Sequence, residues 1–279
     1  MAHLKAILIE SKANPKIKQA LSLKKKRERD DSGLFIIEGF RELLRAIQSG
    51  VALKYLFICP ELFLGENEEG LITQAGQNGA EIYRTSEKIF QTISYRDRPD
   101  GLFAIAHTMK KGFHTLEEKL KGTSCPLIVV AEAIEKPGNL GTILRSADGA
   151  GATGVIVCDR CTDIYNPNVV RSSVGTLFTL PVIEATKEET YQWLQKRNIQ
   201  IVSATPHGNI DYWNADFKKS SAIVFGTEQL GLSEFWMKNC TVQVKIAMHG
   251  VADSLNVAMA STILLYEAAR QRAQSIIRR

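Results

Sequence analysis

The chain has 279 residues, 44% of them hydrophobic, and a formal net charge of +5 at neutral pH. That is enough apolar material for a sizeable core and suggests one large or two ordinary domains. No apolar run approaches the roughly 18 residues of a membrane span, the opening "MAHLKAILIESKANPK" is too weakly apolar for a signal peptide, and Glu10 opposes a transit peptide, so a soluble cytoplasmic protein is expected.

The positive charge sits at one end. Residues 1–29 hold nine basic and two acidic side chains, which leaves 26 basic and 28 acidic for the rest. Ile17, Leu21 and Leu23 have a spacing that lets one helical side pack while the lysines face water. Lys24, Lys25, Lys26 and Arg27 of "LSLKKKRERD" are the candidate phosphate contacts. Short apolar runs then alternate with amphipathic ones. "LFIIEG" reads as a strand, "FRELLRAIQSG" as a helix and "YLFICP" as a strand; "EEGLITQAGQNG" reads as a helix, "EIYRT" as a strand, "SEKIFQTI" as a capped helix and "GLFAIAH" as a strand. Residues 1–108 are thus expected to form a small α/β domain, and 109–124, charged and glycine-containing, a linker.

From residue 125 to 279 the pattern restarts as a second domain. "LIVVAEA" is a run of the buried parallel-strand type. "NLGTILRSADGAG" and "NVVRSSVGTLF" read as helices, "VIVCD", "IQIVSAT", "SAIVFG" and "TVQVKIAM" as strands, and "SLNVAMASTILLYEAARQRAQ" as a long closing helix. Strands alternating with helices imply a mainly parallel sheet covered on both faces. Asn139, after the turn-like Pro137-Gly138, is a candidate helix N-cap. Arg145 lies six residues on, which at 100° per residue is a different helical face.

"GAGATG", Gly149–Gly154, fits the G-x-G-x-x-G spacing of a dinucleotide loop. Such a loop leaves a strand and opens a helix, whose N-terminus meets the pyrophosphate. Here the helical segment comes first and the strand follows, so the glycines face the negative end of a helix. An NAD enzyme is disfavoured, and no P-loop motif is present. Five scattered cysteines do not form a disulfide framework. Cys158 and Cys161 make a lone C-x-x-C without a second pair or nearby histidines, so no metal is expected.

Three segments carry a resemblance. Asn139, Gly141 and Arg145 resemble the first motif of the SpoU/TrmH family of RNA ribose 2′-O-methyltransferases, in the SPOUT superfamily. "FGTEQLGL", with Gly226, Glu228, Gly231 and Leu232, resembles the second, and "KIAMHGVADSLNVAMA", with Ile246, Met248, Gly250, Ser254, Leu255, Asn256 and Val257, the third. "NPKIKQALSLKKKRERDDSGLFIIEG" and "SYRDRPDGLFAIA" resemble the family's RNA-binding accessory domain. Ala247 stands where the family usually has proline.

The resemblance implies a trefoil-knotted, mainly parallel α/β catalytic domain behind a smaller α/β RNA-binding domain. It implies a homodimer using S-adenosylmethionine to methylate a ribose 2′-hydroxyl, in ribosomal RNA rather than transfer RNA. Gly226, Ile246 and Leu255 are then the expected cofactor contacts, with 203–205 a further edge. Arg145 is the expected catalytic guanidinium, acting electrostatically because it stays protonated. Asn139, Glu228, Ser254 and Asn256 are expected to position it, the loops and the acceptor, and Arg171–Ser173 is a further RNA contact. A non-catalytic RNA-binding homologue is the alternative.

Overall fold

A computed structural model describes residues 6–159 and 162–277, with side chains to 273. Cys161 therefore lies outside the described residues, as does Lys5. The chain divides into two units: residues up to Lys110 together with Asp163–Thr179, and Lys111–Thr162 together with Leu180 onward.

The first unit is built on β1 (Ile7–Ile9), β2 (Leu34–Glu38), β3 (Leu53–Ile58), β4 (Glu81–Thr85) and β5 (Leu102–His107), in the order β1-β4-β3-β5-β2. Strands β1, β4 and β3 are parallel, whereas β5 runs antiparallel to β3 and β2. Its helices are α1 (Pro15–Ser22), α2 (Lys26–Ser32), α3 (Phe40–Gln48), α4 (Glu68–Gln77) and α5 (Glu87–Ile93). The single amphipathic stretch expected over the basic segment is two helices. Asn14 caps the first through its side chain with Pro15 behind it, and Leu23, buried in the core with Ile17, Phe57, Phe90 and Phe103, plugs the break between them.

The second unit begins with α6 (Phe113–Leu120), inside the segment expected as a linker. Its charge suggested a solvated tether, but Phe113, Leu116 and Leu120 fall on one face, and Leu116 is fully buried in this unit's core. There follow β6 (Leu127–Glu132), α7 (Pro137–Gly149) and β7 (Gly154–Cys158). The chain then contributes α8 (Pro167–Ser172) and α9 (Thr176–Thr179) to the first unit. The helix expected across this stretch is broken where Val174 and Gly175 both take positive φ. Asp163, at its start, accepts from the buried guanidinium of Arg29 (Nη2–Oδ2 2.7 Å, Nε–Oδ2 2.8 Å).

The second unit resumes with β8 (Val182–Ala185), α10 (Lys187–Lys196), β9 (Gln200–Ala204), β10 (Ile210–Asp211), β11 (Ser221–Phe225), α11 (Glu234–Asn239), β12 (Val242–Lys245) and α12 (Val257–Ile277). Its sheet has seven strands, all parallel, in the order β10-β12-β9-β11-β6-β7-β8. Central β6 is buried at every position, as an apolar run covered by helices on both faces requires. Strand β12 stops at Lys245, short of the expected end, and residues 246–256 are irregular until α12 begins. The C-terminal ends of β6, β11 and β12 therefore deliver the three motif segments to one end of the sheet, where parallel α/β sheets bind ligands. Among the described residues no helix is long and apolar enough to cross a membrane.

Candidate active site

Helix α7 starts at Pro137, with Lys136 as its N-cap. Proline's fixed φ suits the first helical position, so the apparent Pro-Gly turn is already helix. Asn139 is therefore not the cap expected of it; it lies in the first turn with its side chain free to reach outward. Its Nδ2 donates to Glu228 Oε1. Asn256 Nδ2 donates to the same oxygen at 2.8 Å and lies 3.3 Å from Asn139 Oδ1. The ammonium of Lys136 pairs with Glu228 Oε2. One carboxylate thus gathers all three motif segments, and its hydrogen bond raises the pKa of Lys136 above the ordinary lysine value. Asn256 also works locally: its Oδ1 accepts from Ala258 N at 3.0 Å, closing the first turn of α12.

Beside this cluster lies a cavity of about 480 Å³, within the ~300–1,000 Å³ range of small-molecule sites, lined by Gly226, Ile246, Ser254, Leu255, Thr205 and Asp253 among others. Glu228 borders it too. Its wall is shaped by a tight loop after β11. Thr227 and Gly231 exchange backbone hydrogen bonds at 3.0 and 3.1 Å, and Thr227 Oγ1 accepts from Leu230 N at 2.9 Å. A Cβ on Gly226 would collide with the backbone of Gly231 and Leu232, so glycine is required for the loop itself as much as for a ligand. Glu132, buried at the end of β6, accepts from Ser233 N at 2.8 Å and anchors the loop's far side.

Arg145 is not brought to the carboxylate cluster. It is exposed on α7, on a different face from Asn139, and its side chain makes no hydrogen bond or ion pair among the described residues. Ser254 is at the cavity's exposed edge. Ala247 is half-buried in the irregular segment after β12. Of the basic candidates, Lys24 donates to Ser94 O at 2.9 Å and its pKa is lowered by desolvation. Lys26 pairs with Asp30 and Arg27 with Asp31 on the same helix, at 3.4 and 3.5 Å. Among the described residues Lys25 alone of the four is exposed without such a partner. Lys136 and Glu132 went unseen in the sequence, since a lone lysine or a strand-end glutamate has no distinguishing spacing.

The glycines Gly149 and Gly154 end α7 and begin β7, the reverse of a dinucleotide loop. Burial pushes the Cys158 thiol up to about 12 and Cys59 up to about 11, so neither is a thiolate at neutral pH. No group of three or more metal-ligating side chains occurs among the described residues.

Residues 126–266 match the SpoU rRNA methylase family, and residues 14–104 match the MRM3-like substrate binding domain. The chain belongs to the SpoU rRNA methylase family. This methylase is 31% identical over 91% of its length to the 23S rRNA (uridine(2479)-2'-O)-methyltransferase of Streptomyces viridochromogenes, covering 88% of that protein. It is 28% identical over 92% of its length to the 23S rRNA (guanosine(2553)-2'-O)-methyltransferase RlmP of Bacillus subtilis, covering 97% of it. The AdoMet-bound rRNA methyltransferase of Sinorhizobium meliloti superposes with a TM-score of 0.85 at 30% identity, over 95% of this chain and 98% of that one. The methylase's own cavity fits such a ligand. Apolar Ile246 and Leu255 line it and suit a purine, and the exposed Asp253 carboxylate suits a sulfonium, Glu228 being paired with Lys136.

Proposed function

We propose that this chain transfers the methyl group of S-adenosylmethionine to a ribose 2′-hydroxyl of ribosomal RNA, working in the cytoplasm. The observation that carries the reading is the meeting of Asn139, Glu228 and Asn256 on one carboxylate beside the cavity of Gly226, Ile246 and Leu255. Bound in that cavity, S-adenosylmethionine supplies an electrophilic methyl. The backbone around Gly226 and the side chains of Ile246 and Leu255 hold its adenine, and the irregular 246–256 segment, threaded as a trefoil knot, wraps it. Glu228 keeps the motif loops in register through Asn139, Asn256 and Lys136. Ser254, at the edge of the cavity, meets the acceptor ribose.

Arg145 binds the phosphate next to the acceptor ribose and stabilises the charge that develops on the attacking oxygen, a role open to a permanent cation. It does so from a second copy of the chain. Gly149 lies one turn beyond Arg145 on the same face of α7, and the Tyr266 hydroxyl sits over Gly149. Tyr266 is 52% exposed, as is Met259 at 63%, with Ile263 half-buried between them on α12. These positions make one stripe, which a homodimer would cover, and pairing along it places Arg145 at the dimer contact.

The RNA is held by the first unit, through Lys25 and its basic neighbours Lys24, Lys26 and Arg27, and through Arg171; of the expected Arg171–Ser173 contact, Ser173 is fully buried and drops out. Calorimetric titration with S-adenosylmethionine, followed by ribose-methylation mapping of ribosomal and transfer RNA from cells with and without the gene, tests the reading. A saturable heat and one ribosomal site lost with the gene are expected. A chain indifferent to the cofactor would make it the non-catalytic RNA-binding homologue, and a lost transfer RNA site would reassign the substrate.

A further inference from the structure

A second cleft, of about 760 Å³, lies wholly within the first unit. Its floor is polar and buried. Arg96 Nη2 donates to Glu38 O at 2.8 Å and to Glu42 Oε1 at 2.7 Å. Asp100 Oδ2 accepts from Phe40 N at 2.9 Å, and Glu68 Oε1 accepts from Gly65 N at 2.9 Å. Each of these three groups keeps one buried atom without a partner: Arg96 Nε, Asp100 Oδ1 and Glu68 Oε2. Glu68 is only 5% exposed and Asp100 8%. Buried, unpaired carboxylate oxygens are costly, and native interiors rarely leave them so. Here the side chains that carry two of them, and the one that carries an unpaired guanidinium N–H, all line a single cleft.

The rim is different. Arg41, Arg98 and Arg171 line it, exposed and with no ion pair or hydrogen bond from their side chains among the described residues. Asp97 is the one exposed acid beside them. Phe40 and Leu64 add apolar surface, Leu64 being 83% exposed. A simple anion would satisfy the arginines and leave the carboxylate oxygens wanting donors. A metal ion would suit the carboxylates and be repelled by four guanidinium groups. A nucleotide answers both, because its phosphates suit the arginines, its base stacks on an aromatic ring, and its amino group donates to carboxylates.

We propose that this cleft holds one unpaired base of the RNA substrate, selected for an exocyclic amino group, with the flanking phosphates on Arg41, Arg98 and Arg171. The spare atoms are themselves buried, so a base is met by a turn of the Asp100 and Glu68 carboxylates that brings Asp100 Oδ1 and Glu68 Oε2 to its N–H donors and of Arg96 that brings Nε to a ring acceptor. Uracil is rejected, since it offers one N–H flanked by two carbonyl oxygens that would face the carboxylates. The choice of RNA over other nucleotide polymers rests on the methyltransferase reading; the base preference does not.

The test is fluorescence anisotropy of the full chain with labelled pentacytidylate and pentauridylate. Pentacytidylate is expected to bind about tenfold tighter, the discrimination typical of a good base contact. Glu68→Gln keeps the acceptor for Gly65 and turns the unpaired oxygen into a donor, so the preference should shrink to near parity. Arg98→Ala and Arg171→Ala should weaken both oligonucleotides alike and lower the slope of log affinity against log salt by about one each. Equal binding of the two oligonucleotides by the unaltered chain overturns the proposal. So does competition by inorganic phosphate with no base preference, or full affinity in the arginine variants. Should Glu68→Gln unfold in a thermal melt, the exposed arginine positions carry the decision. An absent heat with S-adenosylmethionine would fail the methyltransferase reading while leaving this base preference standing.

Discussion

Glu228 accepts from two amides drawn from separate motif segments and from the Lys136 ammonium beside the first of them. Glu228→Gln keeps the shape and removes the charge that makes those hydrogen bonds strong. Methyl transfer is expected to fall about 10²-fold, the scale seen when one preorganised polar contact is lost, with the thermal midpoint little changed; single-turnover methylation beside a melt checks it. Gly226→Ala acts by another route. Its Cβ has no room beside Gly231, so the loop must shift, at about 1–3 kcal/mol by the usual scale of overpacking. Calorimetry should show S-adenosylmethionine binding lost before the fold is. At this scale the meeting of Asn139, Glu228 and Asn256 was legible from their spaced motifs, whereas Arg145, in the first motif too, stays apart from them on another face of α7. The sequence was not legible where partner choice is set in three dimensions. Lys136 joins the cluster by loop geometry alone, and Asn139 looked like a cap because Pro-Gly reads equally as a turn or as the first turn of a helix.

Helices α7 and α12 are joined by the Ser146–Thr262 hydroxyl pair at 2.7 Å and by Tyr266 over Gly149. The outward stripe they share leads to a prediction about assembly. The unaltered chain is expected to sediment as the proposed dimer in analytical ultracentrifugation, and Tyr266→Asp as a monomer with reduced methyl transfer that still binds S-adenosylmethionine. Arg145→Ala should leave both the proposed dimer and cofactor binding intact and abolish transfer. Equal loss of cofactor binding and transfer in that variant would contradict its assigned role. Element types were largely readable, because alternating apolar runs and amphipathic stretches differ in period. The failures share one cause: charge hid apolar positions that tertiary packing uses. Leu116 turns an expected linker into a core helix, and Leu23 splits one basic helix into two. The residues of the basic segment likewise spend charge on their own helix, as Lys26–Asp30 and Arg27–Asp31 show. RNA affinity is therefore expected to fall with salt more gently than nine basic side chains would suggest, a slope that filter binding across a salt series measures.

On the scale of the molecule, the first unit is assembled from two separate stretches of chain, and the Arg29–Asp163 pair buries the charge where they meet. Arg29→Ala would strand a buried carboxylate, at about 3–5 kcal/mol; chemical denaturation should show that loss, and Arg29→Met with Asp163→Leu should recover most of it. Nothing in the sequence announced this pairing, since the two residues are 134 positions apart. The excursion of Asp163–Thr179 also bears on how the gene can be cut. An expression fragment beginning at Lys111 would contain every motif residue, yet would present Val169, Val170, Leu177 and Phe178 to water with nothing to cover them, all four being buried in the intact chain. Such a truncation is expected to precipitate, whereas proteins whose halves are strung like beads survive the same scissors.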